Sequence, residues 1–587
     1  MKRRFILLSS LPLALSAVVA GSGACGNGNS GSPGGTTDAS DASQEFIEGT
    51  DVNVDVPPLP EASGYVCWIP NSGDKTQGLS DPVLLCTQDQ VLGFILQYAY
   101  TKGTGVMSSW SSVPPSYTAG TTHDWRDDLG LAAAIGDFHC SASYYGSTVN
   151  VAKYDSTLAD LRKVLTSELP NATKSYDGAL YYRMRSAGLA FDYVMDGMDA
   201  ATLAAAADAW AANVVASFTT MVTPPASGGT GGDGGTDEGG AGEAGASDAS
   251  APPAPVALIG APNGDGTVTY QPAQSIMAAA ALLDMARVHA NDPDAGAAAP
   301  TWVATAKGTL SYLWNRARDP GTGLFYQTLV TSSDPGHDAL APGGMPASDA
   351  LLTPVQGAAI LGLSRAMRAL GATVIPEAGS MGPPAPYAGW ANQIVGAMTG
   401  LGLFHAGTPN YPPALCQGCA QGVEPPANPS GFLEGYVPSL NATMPNVPVA
   451  GNAYLLGGFA VTTGLDAAAV AGCKQDPNLN AVSCNFENAE IRAALDEYTQ
   501  DPSSSTIPPA HSTLLTVVTD QNGDVIQQAY LPATSRDWGF AQIFSTTPGD
   551  AGLEPGATDY STAANLAMIE ALTELWVVRP NAPSCAY

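Results

Sequence analysis

Apolar residues recur at helical spacing along most of the chain. Leu158, Leu161 and Leu165 belong to one such series, whereas the stretch from Ile276 to Met285 is apolar nearly all round. The first pattern is typical of a helix with one buried face, and the second of a helix enclosed by other helices. We therefore predict helices over residues 82–101, 127–141, 158–169, 178–196, 199–220, 272–290, 301–318, 352–370, 390–401, 448–464, 491–498 and 560–578.

Signals for β-strands are few. The clearest lies between Thr513 and Tyr530, where β-branched residues flank Asn522-Gly523, a pair typical of a type I′ hairpin turn. About a dozen helices with loops of mixed length fit an architecture of helical hairpins. Because the helices show no fixed repeat length, an open solenoid is disfavoured. We predict an all-α fold, an (α/α)6-type toroid of helical hairpins with one small β-hairpin.

Two stretches of low complexity interrupt this pattern. Residues 26–58 are rich in Gly, Ser, Thr and Asp, and residues 226–255 are nearly all Gly, Ala, Ser, Pro and acidic residues. Neither stretch has the apolar residues that a core requires. We interpret the first, with Cys25, as a flexible tether over 25–58 and the second as a disordered insert. The toroid domain is then predicted to span 59–587.

The first residues have the order of an export signal. A basic start (Lys2 to Arg4) precedes an apolar stretch (Phe5 to Ala20), and small residues then lead to Cys25. The segment Ser22-Gly-Ala-Cys25 resembles a bacterial lipobox, whose Cys becomes lipid-modified. We therefore predict a lipoprotein signal peptide over 1–24 and an exported cell-envelope lipoprotein, periplasmic or on the outer-membrane surface. Ordinary cleavage nearby, with release of the protein, is the alternative.

The cysteine count suits an oxidising compartment. The chain has nine cysteines, so that eight remain if Cys25 carries lipid, and an even number suits disulfides. Cys416-Gln-Gly-Cys419 has the spacing of half a zinc site or a redox motif, but no His lies nearby. We interpret it as disulfide chemistry. The six His residues are scattered, and we predict neither a metal nor a cofactor.

The formal net charge of −31 limits the class of partner. A field of this sign repels the phosphates of nucleic acids and of anionic lipids, so we predict no nucleic-acid partner and membrane contact only through the lipid. The charge is compatible with neutral or cationic ligands. It gives no information on the oligomeric state.

Three segments carry a resemblance to a known family. Asp319 to Tyr326 reads Asp-Pro-Gly-Thr-Gly-Leu-Phe-Tyr, Leu352 to Ile360 contains Val-Gln-Gly, and Gly431 to Tyr436 reads Gly-Phe-Leu-Glu-Gly-Tyr after a pair of cysteines. Together they resemble glycoside hydrolase family 76, the endo-α-1,6-mannanases, and more loosely other six-hairpin toroid glycosidases. Pro354 and Val355 stand where that family has Tyr and Asn.

The resemblance implies a catalytic pair of consecutive aspartates. The candidate is Trp125-Arg-Asp127-Asp128, with Asp127 as nucleophile and Asp128 as acid/base. A retaining glycosidase needs two carboxyl groups about 5–5.5 Å apart, which a first helical turn or a loop can provide. The resemblance also implies polysaccharide contacts for other side chains, which are Trp125, Arg126, Tyr326, Gln356 and Tyr436.

Three alternatives stay open. Acidic residues also favour a helix N-terminus for purely structural reasons, by about 0.3–1 kcal/mol each. The chain would then be a non-catalytic surface protein that binds glycan or another protein. A polysaccharide lyase is the third alternative, with Tyr181 or His123 as the base and Arg183 as the cation. The favoured hypothesis is a glycoside hydrolase acting on an α-mannan-like extracellular polysaccharide.

Overall fold

The structure is a computed structural model of the 587-residue chain. It describes residues 81–113, 116–119, 122–144, 154–194, 198–225, 254–290, 296–334, 337–341, 349–370, 387–405, 431–465, 499–500, 515–519, 525–530, 539–540, 543–545 and 559–577. All of them belong to the unit Val56–Tyr587, one of two into which the chain divides. The predicted signal peptide, Cys25, the tether and nearly all of the insert lie outside these residues.

Eleven α-helices lie in the described part of the chain. They are α1 (Asp81–Tyr98), α2 (Trp125–Tyr144), α3 (Asp155–Glu168), α4 (Ala179–Val194), α5 (Met198–Ser217), α6 (Pro272–Val288), α7 (Ala299–Arg316), α8 (Thr353–Leu370), α9 (Tyr387–Gly400), α10 (Val449–Leu465) and α11 (Thr562–Val577). Short 3-10 helices cover Leu169–Lys174 and Pro438–Leu440. Each α-helix coincides with a predicted one within about three residues; the helix predicted at 491–498 lies outside the described residues.

Six of these helices form a closed ring. Going round it, α2 packs on α4, α4 on α6, α6 on α8, α8 on α10, α10 on α11, and α11 on α2 again. The remaining helices pack outside: α1 against α2 and α11, α3 against α2 and α4, α5 against α4 and α6, α7 against α6, and α9 against α8. An inner ring with outer partners is an α/α toroid, so the predicted fold class is confirmed.

Glycines allow neighbouring ring helices to approach closely. A β-carbon on Gly357 of α8 would lie 2.6 Å from the carbonyl oxygen of Gly451 in α10, and one on Gly458 would lie 2.7 Å from the side chain of Ile360. The contacts advance in the same direction along both helices, so α8 and α10 are parallel. Side chains larger than hydrogen at Gly357 and Gly458 would force these two helices apart.

Short antiparallel strands occupy the connections. They are β1 (Tyr100–Thr101), β2 (Gly105–Val106), β3 (Ser109–Val113), β4 (Ser116–Ala119), β5 (Thr219–Val222), β6 (Val256–Ile259), β7 (Ala261–Pro262), β8 (Val268–Tyr270), β9 (Leu329–Val330), β10 (Ala339–Leu340), β11 (Leu351–Leu352), β12 (Phe404–His405), β13 (Gly431–Phe432), β14 (Gly435–Val437), β15 (Ala442–Met444), β16 (Asn446–Pro448), β17 (Thr499–Gln500), β18 (Leu515–Thr519), β19 (Val525–Tyr530), β20 (Gly539–Phe540), β21 (Ile543–Ser545) and β22 (Asp559–Ser561). Strands β18 and β19 pair as the predicted hairpin. Most of the others have two to four residues, too few to leave a two-residue periodicity, and the sequence predicts none of them.

Several strands join the amino ends of the ring helices. Strand β22, before α11, pairs with β3, before α2, and β11, before α8, pairs with β14, which precedes α10. The amide of Thr562 donates a hydrogen bond to the carbonyl of Ser108 at 3.0 Å. The amide of Gln271, before α6, donates to the hydroxyl of Tyr176, before α4, at 3.3 Å. The amino ends of the ring helices therefore meet at one end of the toroid, which we call the mouth.

No helix among the described residues combines the length and the apolar character needed to cross a membrane.

Candidate active site at the mouth of the ring

Asp127 and Asp128 lie in the first turn of α2, but another residue caps this helix. The Asp124 carboxylate accepts a hydrogen bond from the Arg126 amide at 2.9 Å, and the Asp124 carbonyl accepts one from the Asp127 amide at 2.9 Å. Asp124 thus satisfies amides that would otherwise lack a partner at the helix start. The carboxylates of Asp127 and Asp128 bind groups of other elements, so helix capping does not account for the pair.

The Asp128 carboxylate is enclosed by the strand that precedes it. The Val106 amide of β2 donates to its Oδ1 at 2.7 Å, and Nε2 of His123 lies 2.7 Å from its Oδ2. The Asp128 side chain is 0 % exposed, whereas that of His123 is 28 % exposed. Burial raises the pKa of Asp128, although the Val106 and His123 contacts act in the opposite direction.

Asp127 is also nearly buried, with 8 % of the residue exposed. The hydroxyl of Ser108 donates a hydrogen bond to its Oδ2 at 2.7 Å. Burial raises the pKa of Asp127 more than the Ser108 bond and the nearby Arg183 charge lower it. Two adjacent carboxyl groups with raised pKa values therefore lie at the mouth, a feature that is enriched at catalytic sites.

Arg183 of α4 links the aspartate pair, Asp127 and Asp128, to the opposite wall of the ring. Its Nη1 donates to the Arg126 carbonyl at 3.3 Å. Burial acts to lower the pKa of Arg183, but Tyr454 of α10, Glu570 of α11, Asp177 and Asp127 act together to raise it. Ring helices α2, α4, α10 and α11 thus contribute charged or polar groups to one interior space.

A small cavity lies behind this guanidinium, between α2, α4 and α11. Its polar lining comes from Asp137, Arg183, Ser186 and Glu570, and its volume of about 20 Å3 is enough for one water molecule. Among the described residues, no group of three His, Cys, Asp or Glu side chains is arranged to hold a metal ion.

Two of the predicted polysaccharide-binding residues lie beside the aspartate pair. Trp125 is half-buried and begins α2, and the Arg126 guanidinium lies 6.0 Å from the centre of its ring. Nη1 of Arg126 is 3.3 Å from the Asp124 carboxylate, and both side chains are well exposed. The structure therefore brings Trp125, Arg126, Asp127 and Asp128 together at the mouth.

The other three predicted binding residues have buried side chains engaged in contacts within the fold. Gln356 is fully buried, and its amide group accepts from the Phe325 amide at 2.9 Å and donates to the Phe325 carbonyl at 2.8 Å. The hydroxyl of Tyr326 donates to Asp319 at 2.7 Å, and that of Tyr436 donates to Asn441 at 2.7 Å. The contacts of Gln356 and Tyr326 hold the α7–α8 connection, and that of Tyr436 holds the α9–α10 connection. Contact of the three side chains with a polysaccharide stays a prediction.

The three residues of the lyase hypothesis do not share one site. Tyr181 of α4 contacts α6, whereas Arg183 of α4 and His123, before α2, lie near Asp127. The Tyr181 hydroxyl is buried and donates to Asp284 of α6 at 2.6 Å. Burial, together with the Asp284 charge, raises the pKa of Tyr181 well above its ordinary value, which disfavours the tyrosinate that a base would need.

Sequence reasoning did not find Ser108 or Gly105 as neighbours of the aspartate pair, or Glu570 as a neighbour of Arg183. Glu570 and Glu574 are two carboxylates four residues apart in the mostly apolar helix α11. Such carboxylates in a buried helix could have indicated a polar site in the ring interior. Ser108 and Gly105 occupy short connections, where no sequence pattern indicates which side chain they contact.

The chain resembles solved structures of glycan-active enzymes. An unsaturated glucuronyl hydrolase specific for heparin matches with a TM-score of 0.45 and 10% identity over 84% of this chain and 97% of that one. A family 76 mannosidase from Bacteroides thetaiotaomicron matches with a TM-score of 0.42 and 9% identity over 84% and 97%. An inactive variant of a family 76 α-1,6-mannanase from Salegentibacter sp. HEL1_6, in complex with α-1,6-mannotriose, matches with a TM-score of 0.39 and 10% identity over 84% and 100%.

No protein-family model matches the chain, and no curated protein sequence matches it. The assignment of a toroid rests on the closed ring of helix contacts described above.

Proposed function

We propose that this protein is a glycoside hydrolase that acts on an α-mannan-like extracellular polysaccharide. The observation that carries the proposal is the aspartate pair. Its two carboxyl groups are buried at the mouth of the ring, have raised pKa values, and bind Ser108, Val106 and His123 rather than capping α2. The choice of mannan comes from the resemblance of the sequence motifs to family 76.

Asp127 fits the nucleophile of a retaining hydrolysis. It retains some exposure, and the Ser108 hydroxyl and the Arg183 charge favour its ionised form. Asp128 belongs to the acid/base half of the reaction, because burial favours its protonated form. Trp125, half-buried beside the pair, offers an apolar face on which a sugar ring can stack.

The cellular setting follows from the leader. An export signal ending at Cys25 makes the protein a lipid-anchored component of the cell envelope, where polysaccharides are accessible. The net charge of −31 disfavours polyanionic chains and is compatible with a neutral mannan.

A non-catalytic glycan-binding toroid is the second candidate function. The observation that favours it is the complete burial of Asp128, whose carboxylate has no exposed surface for a substrate to contact. Under this hypothesis the mouth binds glycan through Trp125 and Arg126, and the buried aspartates hold the connection before α2 in place.

Reducing-sugar release from a panel of mannans and uronate polysaccharides tests the proposal. Asp127→Asn and Asp128→Asn are each expected to reduce release by 10³-fold or more while the protein stays folded. The matched control is Asp155→Asn, which replaces an exposed aspartate in the first turn of α3 and is expected to leave release unchanged.

Three outcomes separate the candidates. Release that disappears only in the two mouth variants supports a hydrolase. Binding of mannan without release by the wild-type protein supports the binding protein. Release from uronate polysaccharides with formation of an unsaturated product would support the lyase.

A further inference from the structure

The Asp128 carboxylate is shielded from any ligand at the mouth. Gly105 lies directly against it, so that a β-carbon on Gly105 would be 2.3 Å from Oδ1 and 2.7 Å from Oδ2. The Val106 amide occupies Oδ1, and the side chain is 0 % exposed. A sugar oxygen therefore has no route to this carboxylate, which proton transfer by direct contact would require.

His123 lies between this carboxylate and solvent. Its Nε2 is 2.7 Å from Asp128 Oδ2, its ring is 28 % exposed, and its backbone is held by a bridge to Met107. A buried carboxylate that holds one nitrogen of an imidazole fixes the tautomer and the orientation of the ring, and leaves the other nitrogen for proton transfer. Here Nε2 is the nitrogen that faces Asp128, so Nδ1 is the nitrogen left to exchange a proton with a substrate.

We infer that His123 is the acid/base residue of the reaction and that Asp128 is its positioning residue. The inference rests on the proposed hydrolase function and changes the identity of the group that exchanges protons with the substrate. Asp127 keeps the role of nucleophile. The site then uses two groups with some exposure, the Asp127 carboxylate and the His123 imidazole, and one fully buried group, Asp128, that supports the imidazole.

The two chemical steps balance with these groups. First, an Asp127 oxygen bonds to the anomeric carbon while the bond from that carbon to the leaving oxygen breaks, and imidazolium His123 gives its Nδ1 proton to the leaving oxygen. Second, a water oxygen bonds to the anomeric carbon, its proton passes to Nδ1, and the bond from Asp127 breaks. The carboxylate and the imidazolium are both restored.

The groups around His123 come from several elements. They are Asp127 and Asp128 from α2, Asp124 before α2, Arg183 from α4 and Tyr100 from β1, which faces Asp128. The Asp128 oxygen 2.7 Å from Nε2 is placed to hold the ring while Nδ1 gives and takes its proton.

Aryl α-mannobiosides with two different leaving groups test the inference. Phenol needs a proton as it leaves, whereas 2,4-dinitrophenolate leaves without one. His123→Ala is expected to lose 10²–10⁴-fold in kcat/KM on the phenyl substrate and less than 10-fold on the dinitrophenyl substrate. Asp127→Asn is expected to lose activity on both, because the nucleophile serves both substrates.

A second His–Asp pair provides the matched control. His289 Nε2 lies 3.1 Å from Asp208, but there the carboxylate is 51 % exposed and the imidazole 18 % exposed, the reverse of the arrangement at the mouth. His289→Ala is expected to leave both rates unchanged. His123→Gln serves as a second variant if His123→Ala fails to fold.

The role of Asp128 is tested by nitrogen NMR of the His side chains, of which the chain has six. The neutral His123 ring is expected to carry its proton on Nε2 in the wild-type protein and to become a mixture of tautomers in Asp128→Asn, with a parallel loss on the phenyl substrate alone. An unchanged tautomer would overturn the positioning role. Equal losses of His123→Ala on both substrates would overturn the inference and leave the hydrolase standing, whereas a wild-type protein inactive on both aryl substrates and on every polysaccharide would overturn both.

Discussion

Two groups of buried carboxylates face the interior of the ring, and they differ in how far neighbouring arginines offset the cost of burial. At the mouth, burial dominates for Asp127 and Asp128, and their pKa values are raised. Deeper in the ring lies a second group, which we call the ion-pair cluster, formed by Arg365, Arg368, Glu570 and Glu574. Burial would raise the pKa of Glu574 as well, but Arg368 and Arg365 lower it below its ordinary value.

The geometry explains this difference. Arg365 reaches Glu574 at 2.8 Å and Glu570 at 2.6 Å, and Arg368 reaches Glu574 at 2.7 Å. The Arg365 guanidinium also lies 4.1 Å from the centre of the Tyr182 ring. A carboxylate with two arginines stays ionised and serves the fold, whereas buried carboxylates with less compensation are costly to ionise and are suited to chemistry.

The first prediction concerns the stability that the ion-pair cluster contributes to the fold. Arg365→Met removes the only fully buried guanidinium of the cluster and leaves Glu574 with Arg368 alone. Because an uncompensated buried charge remains, we expect the free energy of unfolding to fall by about 3–5 kcal/mol. Urea denaturation at pH 7 measures this loss.

The control for this change is an ion pair whose cation is exposed and whose carboxylate keeps hydrogen bonds from Tyr100 and Gly103. Lys163, whose side chain is 77 % exposed, lies 3.6 Å from Asp160, and Lys163→Met is expected to change stability by less than about 0.5 kcal/mol. Asp127→Asn is expected to abolish activity without the loss of stability expected for Arg365→Met. If Arg365→Met were as stable as the wild type, the ion-pair cluster would not be a structural element.

The second prediction concerns the glycine that encloses Asp128. Gly105 has φ +104°, and a β-carbon there would overlap the carboxylate, whereas Gly103, with φ +80°, has no atom within 4 Å of such a carbon. Both alanine variants incur the backbone cost of a positive φ, about 1–2 kcal/mol. Gly105→Ala is expected to cost about 1–2 kcal/mol more, because Asp128 must move.

Thermal unfolding and the aryl-glycoside rates measure the two effects together. Gly103→Ala should retain the wild-type rates, and Gly105→Ala should lose rate on the phenyl substrate because the carboxylate behind His123 is displaced. Equal stability and equal rates in the two variants would show that the close approach of Gly105 to Asp128 affects neither the fold nor the reaction.

The contrast between the two carboxylate groups also shows what the sequence can predict. Several helices were predictable because their apolar positions repeat every three to four residues, and α11, the helix that closes the ring, because it is a long and mostly apolar run. The aspartate pair was predictable from a motif. Its surroundings were not, since Ser108 and Val106 contact the pair from an earlier connection, and Glu570 lies near Arg183 from the far end of the chain. No local pattern records such contacts.

Burial was the other property that the sequence left open. Gln356 lies in a motif typical of a binding segment, and its side-chain amide forms hydrogen bonds with the backbone of Phe325. The sequence contains the same residue whether a polar side chain faces a ligand or a neighbouring loop. The packing of the α7–α8 connection, seen only in the structure, is what shows the contact of Gln356 with a loop.

The third prediction uses pH to separate the two groups. For Asp127 the folded-state pKa lies above the unfolded value of about 4, so the folded protein binds more protons and loses stability as pH rises through the folded pKa. For Glu574 the folded-state pKa lies below the unfolded value, so its contribution is complete above about pH 4–5 and is lost as pH falls.

Unfolding free energies at pH 2 and pH 7, which bracket the lowered pKa values of Glu574 and Asp284, should therefore change in opposite directions. The wild-type value minus that of Asp127→Asn should become more negative towards pH 7, and the wild-type value minus that of Glu574→Gln should become more positive. Each change amounts to about 1.4 kcal/mol per unit of pKa difference between the folded and unfolded states. Asp284→Asn should follow Glu574→Gln, because Arg185 and Arg287 lower the pKa of Asp284 although its burial opposes them. Slopes of the same sign for Asp127 and Glu574 would mean that the mouth is compensated like the ion-pair cluster, and the electrostatic basis for catalysis by Asp127 would be lost.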